Sequence, residues 1–218
     1  MSAVGHTESM DEGSIVVTGT GQVAVQPDVA DIRLGVSVSR LTVDEARQEA
    51  ASTMAAILAA VESAGVPKKD IRTSLLSVQP RYDYRDGKPP ELSGYELANV
   101  VEVTVRDLAR LGDVVDASLK AGATSMDSLT FRLADPAPAE REARILAMGE
   151  ARSRADVLAE AAGLSITGVS SVTEDGAMPP PRPFAKAERM MMAADASTPV
   201  ESGSLEVSVR VTVAYRTT

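Results

Sequence analysis

The chain has no cysteine, no tryptophan, one histidine and two phenylalanines among its 218 residues. Without cysteine there is no disulfide, no thiol nucleophile and no thiolate metal site. The lone His6 sits close to the chain start, so a Ser-His-Asp or Cys-His relay has no anchored base and zinc has no His set. Aromatic residues make up 3%, which removes the stacking platforms that accompany carboxylate pairs in sugar hydrolysis. The core must therefore be built from Val, Leu, Ile, Met and Ala. No stretch approaches the ~18 apolar residues of a spanning helix. The start, MSAVGHTESMDEGS, lacks the basic residues and apolar run of a secretory signal. As it stands the chain is expected in the cytoplasm; removal of a signal would place it in the periplasm or elsewhere outside the cytoplasm. The net charge is −9, and with no basic patch nucleic acid is not expected as a partner.

What is present is alternation. Residues 14–40 carry apolar side chains at Ile15, Val17, Val23 and Val25, then at Ile32, Leu34, Val36 and Val38. Residues two apart share one face of a strand, so two long half-buried strands are predicted. Pro27 breaks the ladder between them, and the two are read as antiparallel neighbours. Gly19-Thr-Gly-Gln-Val-Ala24 matches G-x-G-x-x-[GA], but that dinucleotide fingerprint needs a helix to start at the glycines. Here strand alternation continues to Val25. The glycines are read as allowing a bulge or sharp twist, and no cofactor is expected.

Thr42-Val-Asp-Glu45 is a capping-box pattern. Ala46, Ala50, Met54, Ile57, Leu58 and Val61 follow at helical spacing, with Gly65 and Pro67 as the stop. Strands are predicted over 71–83, with Leu75 and Val78 buried, and over 97–106, with Val101, Val103 and Val105 on one face. Asp107 is placed to cap a second helix carrying Leu108, Leu111, Val115 and Leu119 to Gly122. After a strand over 125–133, Asp135-Pro136 opens a third helix. Its predicted apolar stripe is Ile145, Met148, Ala151, Ala155, Leu158 and Ala162, and it ends at Gly163. Strands over 165–174 and from Leu205 to Tyr215 complete the order ββαββαβαββ. Strand pairs alternating with single helices predict an α+β fold, with three helices on one face of largely antiparallel sheet. Residues 1–13 read as a mobile tail, and 14–218 as one domain with a long loop at 176–203.

Candidate chemistry is sparse. Asp28 and Asp31 flank the first bend, and Glu140 and Glu142 open the third helix, where the dipole favours acids. Arg141, Arg144, Arg152 and Arg154 are read as a solvated face paired with nearby glutamates, Glu140 to Arg144 and Glu150 to Arg154 being i,i+4 pairs. Tyr82, Tyr84 and Tyr95 are read as cross-strand packing in a hairpin. The loop carries Phe184, Met190, Met191 and Met192. Methionine repacks readily on irregular surfaces, so these four are candidate oligomer contacts; the other reading is a short helix from Ala185 to Ala194 that covers the chain's own core.

The chain resembles the SIMPL-domain family, a bacterial group of unsettled function. The resembling residues are Val17-Thr-Gly-Thr-Gly21, Pro27-Asp-Val-Ala30, Gly35-Val36, Asp70-Ile-Arg-Thr73, Gly94-Tyr95, Asn99 and Val105-Arg-Asp-Leu108. Gly122-Ala123, Phe131, Ala151-Arg152 and Thr198-Pro199 follow in order. The resemblance implies export to the periplasm or cell envelope, links to immunogenicity and oxidative-stress tolerance, and ring- or channel-like homo-oligomers. It implies no catalytic residues. The expected function is thus a non-enzymatic, self-associating protein, and the alternative is a small-molecule or peptide-binding module with 176–203 as a lid.

Overall fold

The structure is a computed structural model that describes residues 13–85, 87–175, 182–184 and 198–218. In chain order the elements are β1 (Gly13–Val25), β2 (Val29–Arg40), α1 (Val43–Ser63), β3 (Ile71–Asp83), β4 (Glu91–Val105), α2 (Leu111–Lys120) and β5 (Ser125–Arg132). Then come α3 (Ala137–Ala162), β6 (Ile166–Glu174), β7 (Arg182–Phe184) and β8 (Ser204–Thr217), with 3-10 turns at Lys68–Asp70 and Leu108–Arg110. This is the expected α+β order, with the three-residue β7 added inside the long loop. Every strand pair is antiparallel.

The elements divide between two compact units. One holds β2 to β5 with α1 and α2, in strand order β3-β4-β2-β5; the other holds β1, α3 and β6 to β8, in order β1-β8-β6 with β7 also on β8. The reading of β1 and β2 as neighbours is therefore wrong. β1 pairs with β8 and β2 with β4 and β5. Pro27 marks a passage between sheets rather than a hairpin, and the local alternation is the same in either case.

In the α1–α2 unit the capping box forms as read. Thr42 Oγ1 accepts from the Glu45 N–H at 3.3 Å, and Glu45 Oε2 accepts from the Thr42 N–H at 3.2 Å. α1 buries Ala46, Ala50, Met54, Ile57 and Val61 in one core with Ile32, Leu34, Val36, Val101 and Val103. Asp107 caps the 3-10 turn ahead of α2 instead of α2 itself, accepting from the Ala109 N–H at 3.2 Å. Leu111 and Val115 are buried as expected, but Leu119 is exposed. Leu75 and Val78 are exposed too, against expectation. α1 packs on β2 and β4, and β3 lies beyond them at the sheet edge.

In the α3 unit, β8 is buried along its whole alternation, from Leu205 to Tyr215. β1 pairs with it from Gly13 to Val25 without a break in register, so Gly19 and Gly21 make no bulge. They make room for a helix. A β-carbon on Gly21 would stand 1.9 Å from the Ala143 carbonyl oxygen, and one on Gly19 2.0 Å from that of Ala147. Facing them is a ridge of buried alanines, Ala139, Ala143, Ala147, Ala151, Ala155 and Ala159. Their i±4 spacing makes a row inclined to the helix axis, and methyl groups let the helix backbone approach the strand. The predicted stripe is half wrong: Ala151 and Ala155 face inward, but Ile145 is 67% exposed and Leu158 and Ala162 are exposed as well. Large apolar residues do not fit under a helix that rides this close. Asp135 Oδ1 accepts from the Ala137 N–H at 3.0 Å, and Gly163 ends the helix at φ +70°.

Two contrasts test this packing. Gly21→Ala is expected to cost about 3 kcal/mol, because its methyl meets backbone that cannot turn aside. Gly149→Ala, where a β-carbon meets nothing within 4 Å, is expected to stabilise the chain by up to about 1 kcal/mol. Thr42→Ala is expected to cost about 1 kcal/mol through the lost cap. Denaturant melts of the three variants check all three values.

Candidate functional site

Most of the charged residues singled out in the sequence are engaged in structural pairs. Asp28 Oδ1 accepts from the Ala134 N–H at 2.7 Å. Asp31 accepts from Arg132 Nε at 2.6 Å and from Thr104 Oγ1 at 2.7 Å. Asp70, which the sequence placed in the family pattern without a chemical role, takes two bonds from Arg106 at 3.0 and 2.9 Å. Arg144 joins Glu174 as well as Glu140, and Arg152 pairs with Asp156 and lies over the Tyr215 ring. The partners of Asp31 and Asp70 lie far away in sequence, so only the strand register brings them together. Glu142 and Arg141 form no ion pair among the described residues.

The carboxyls respond to these partners. Burial pushes the Asp31 carboxyl up, but the hydrogen bonds from Arg132 and Thr104 and the charges of Arg132 and Arg72 outweigh it and hold it below the usual range. The Arg106 hydrogen bond holds Asp70 low against its burial. Glu174 is held low by Arg144, and Asp116 by Thr198. All four shifts run downward, which suits a fixed anion; a general acid at neutral pH needs the reverse. Among the described residues, no three His, Cys, Asp or Glu side chains stand together in a way that would hold a metal ion.

The surface that stands out is the β3–β4 hairpin. β4 runs with β2 only as far as Tyr95, and from Gly94 to Glu91 it pairs with β3 alone. The ladder shifts register at Thr73/Leu75 and again at Arg81/Tyr82. After the first shift, Leu76 and Val78 pair with Asn99 and Leu97 on the α1 side, while Leu75 is on the opposite face. Leu76 is 65% and Tyr84 75% exposed, and Leu75, Val78, Tyr82 and Leu92 are exposed with them. Tyr82 stands across the hairpin from Leu92, as the cross-strand reading requires, yet both remain exposed. Between α1 and β3 lies a cleft of about 390 Å³ lined by Met54, Leu58, Ile71, Asn99 and Val101 among others. The Asn99 Oδ1 is buried and has no partner among the described residues. The adjacent leucines at 75 and 76 were a legible signal: neighbours on a strand face opposite ways, so one of them had to be uncovered on a one-faced sheet.

The predicted loop contacts are located only in part. Phe184 ends β7, its backbone paired with Ser204. Met190, Met191 and Met192, and the alternative helix from Ala185 to Ala194, lie outside the described residues, as do His6 and residues 1–12. Where the loop returns, Thr198 Oγ1 donates to Asp116 of α2 at 2.6 Å, and Val200 packs on the α1–α2 core.

Residues 15–215 match a family described as SIMPL, protein of unknown function (DUF541). The chain belongs to the SIMPL family. Within it, the chain is 33% identical to the 26 kDa periplasmic immunogenic protein of Brucella melitensis over 208 residues, covering 92% of this chain and 83% of the relative. It is 34% identical to the uncharacterized protein YggE of Escherichia coli K12 over 190 residues, covering 87% and 75%. A YggE from Edwardsiella ictaluri is 30% identical over 173 residues, covering 79% and 72%. These names attach no reaction to the SIMPL chains, and the one from Brucella is named as periplasmic. In this SIMPL chain no described helix is long and apolar enough to cross a membrane.

The low carboxyls fix a pH response. A carboxyl held below its unfolded value contributes stability that is present in full above about pH 5 and is lost as pH falls through about 4 and below. Asp31 and Asp70 both act in this direction. Melts at falling pH should show declining stability across that window, and Asp31→Asn should flatten the decline. A variant with the same pH slope as the parent would remove Asp31 from this role.

Proposed function

We propose that this SIMPL chain is a non-enzymatic protein of the cell envelope that works by associating with copies of itself. The single observation that carries the reading is the uncovered β3–β4 hairpin, with Leu75, Leu76, Val78, Tyr82, Tyr84 and Leu92 exposed on one arm. Large apolar side chains left in water on one hairpin are unfavourable there and become favourable on contact with a partner. The downward-shifted carboxyls supply no proton donor, which supports a role other than acid catalysis. Envelope placement is supported by the Brucella relative, named as periplasmic. Any part in oxidative-stress tolerance would involve no thiol chemistry of this chain, because it has no cysteine. Phe184, Met190, Met191 and Met192 are kept as further contacts in this reading. The unpartnered Asn99 Oδ1 in the cleft beside α1 favours a second reading, capture of a small apolar ligand that carries a hydrogen-bond donor.

Light scattering tests the proposal. The parent is expected to have an oligomeric mass, and Leu76→Arg, which places a charge on the exposed arm, is expected to lower it while the fold persists. A monomeric parent would overturn self-association and leave the cleft reading standing. An oligomer indifferent to Leu76→Arg would move the contact away from the hairpin.

A further inference from the structure

β1 is the outer strand of its sheet, and its own sequence, GSIVVTGTGQVAV, contains no charge and no proline. Natural edge strands discourage unwanted pairing with charges, prolines, bulges or a covering element. β3 has Arg72, Pro80, Arg81 and Asp83, with two register shifts. β6 has two register shifts and Glu174. β5 has Asp127 and Arg132. β1 has none of these and pairs with β8 without a shift over 13 residues.

Its protection comes from α3. Glu150 accepts a hydrogen bond from the Thr20 N–H at 2.5 Å, and Arg154 Nη1 donates to the Thr18 carbonyl at 2.6 Å. The two side chains are joined to each other at 2.7 Å. Both contacts fall on residues whose backbone groups point away from β8, two apart, on either side of Gly19. An added antiparallel strand would take both the C=O and the N–H of Thr18 and of Thr20, so the ion pair occupies one acceptor and one donor that such a strand would use. The ion pair therefore stands in for a strand at the centre of the edge. It reaches there because Gly19 and Gly21 let α3 approach. Beside it, Val17, Val157 and Leu158 line an open apolar cleft of about 460 Å³.

We propose that the Glu150–Arg154 pair is an autoinhibitory latch on β1, and that the partner it excludes is the β1 of a second copy of this chain. An edge without charge or proline is complementary to its own copy across a two-fold axis, since each free C=O can meet a free N–H when the strands run antiparallel. The apolar cleft gives that second strand a place for side chains beside the ladder. This association is distinct from the one proposed for the β3–β4 hairpin and does not rest on it.

The test is the charge swap Glu150→Arg with Arg154→Glu, made in a Leu76→Arg chain so that contacts through the hairpin are weakened first. The swap keeps the helical ion pair and the net charge, but it sets a cation against the Thr20 N–H and a carboxylate against the Thr18 carbonyl. Amide hydrogen exchange at Thr20, measured at a dilution where the chain is monomeric, is expected to become about tenfold faster or more, and light scattering at higher concentration is expected to show a species of twice the mass of the Leu76→Arg chain. Exchange at Thr20 that stays slow would overturn the latch. Fast exchange with no gain in mass would overturn the second copy as its target. Should the swap not fold, Glu150→Ala removes the acceptor of the Thr20 N–H and carries the same two readouts, read in the same way. A change in the parent's own mass with Leu76→Arg reports on the hairpin alone, so the two proposals fail separately.

Discussion

Backbone meets backbone where α3 crosses β1. The carbonyl oxygens of Ala143 and Ala147 occupy the space that β-carbons on Gly21 and Gly19 would need. A helix normally rests on a sheet through a layer of large side chains; here that layer is reduced to methyl groups on one side and nothing on the other. An alanine buries little area, so such an interface gains its stability from close dispersion contact and tolerates almost no change of volume. Two consequences follow for the α3 unit. The long apolar residues of the helix are displaced from its inner face, leaving Ile145 and Val157 in solvent. The helix also comes near enough for two of its charged side chains to bond the backbone of the edge strand.

The α1–α2 unit solves the same problem by the ordinary route. Met54, Ile57 and Val61 interdigitate with β-branched residues of β2 and β4, and each buried aliphatic side chain contributes about 1.5–3 kcal/mol. Because α1 rests on β2 and β4, the outermost β3 is left without a helix above it. Its leucines and tyrosines are exposed for that reason, not because the sequence is polar there. The charged pairs Asp31–Arg132 and Asp70–Arg106 tie β2 to β5 and the start of β3 to the end of β4. Electrostatics here fixes strand ends, while the apolar core fixes the layers.

Element order, the Thr42 cap, the Gly163 stop and the burial of β8 were legible in the sequence because each depends on neighbours within a few residues. The alternation from Leu205 to Tyr215 needs only the strand period. The inner face of α3 was misread because hydrophobicity ranks Ile145 and Leu158 above alanine, whereas the packing distance selects for smallness. The pairing of β1 was misread because a proline between two alternating segments looks the same in a hairpin and in a passage between sheets. The ion pairs of Asp31 and Asp70 were invisible without register. The i,i+4 pair Glu150–Arg154 was visible as a pair, but its bonds to Thr18 and Thr20 needed the helix placed on the strand. Of the hairpin surface, the Leu75-Leu76 doublet carried a readable trace. The methionine cluster lies outside the described residues, so the structure speaks for neither of its readings.

The edges of the two sheets are guarded in different ways, and the difference bears on how such a chain associates. β3 carries proline, charges and two register shifts in its own sequence, so a partner at β3 gains few regular backbone bonds and must bind through the exposed leucines and tyrosines. That favours an interface of side chains, in which specificity lies in shape and area. β1 is smooth and uncharged, and among the described residues its guard lies on another element. A guard inside the strand is permanent, whereas one on a helix can leave without altering the strand it protects. The glycines that bring α3 close are therefore also what allows β1 to remain so plain. With a helix farther off, Glu150 and Arg154 could not reach its backbone, and protection would have to be written into β1 itself.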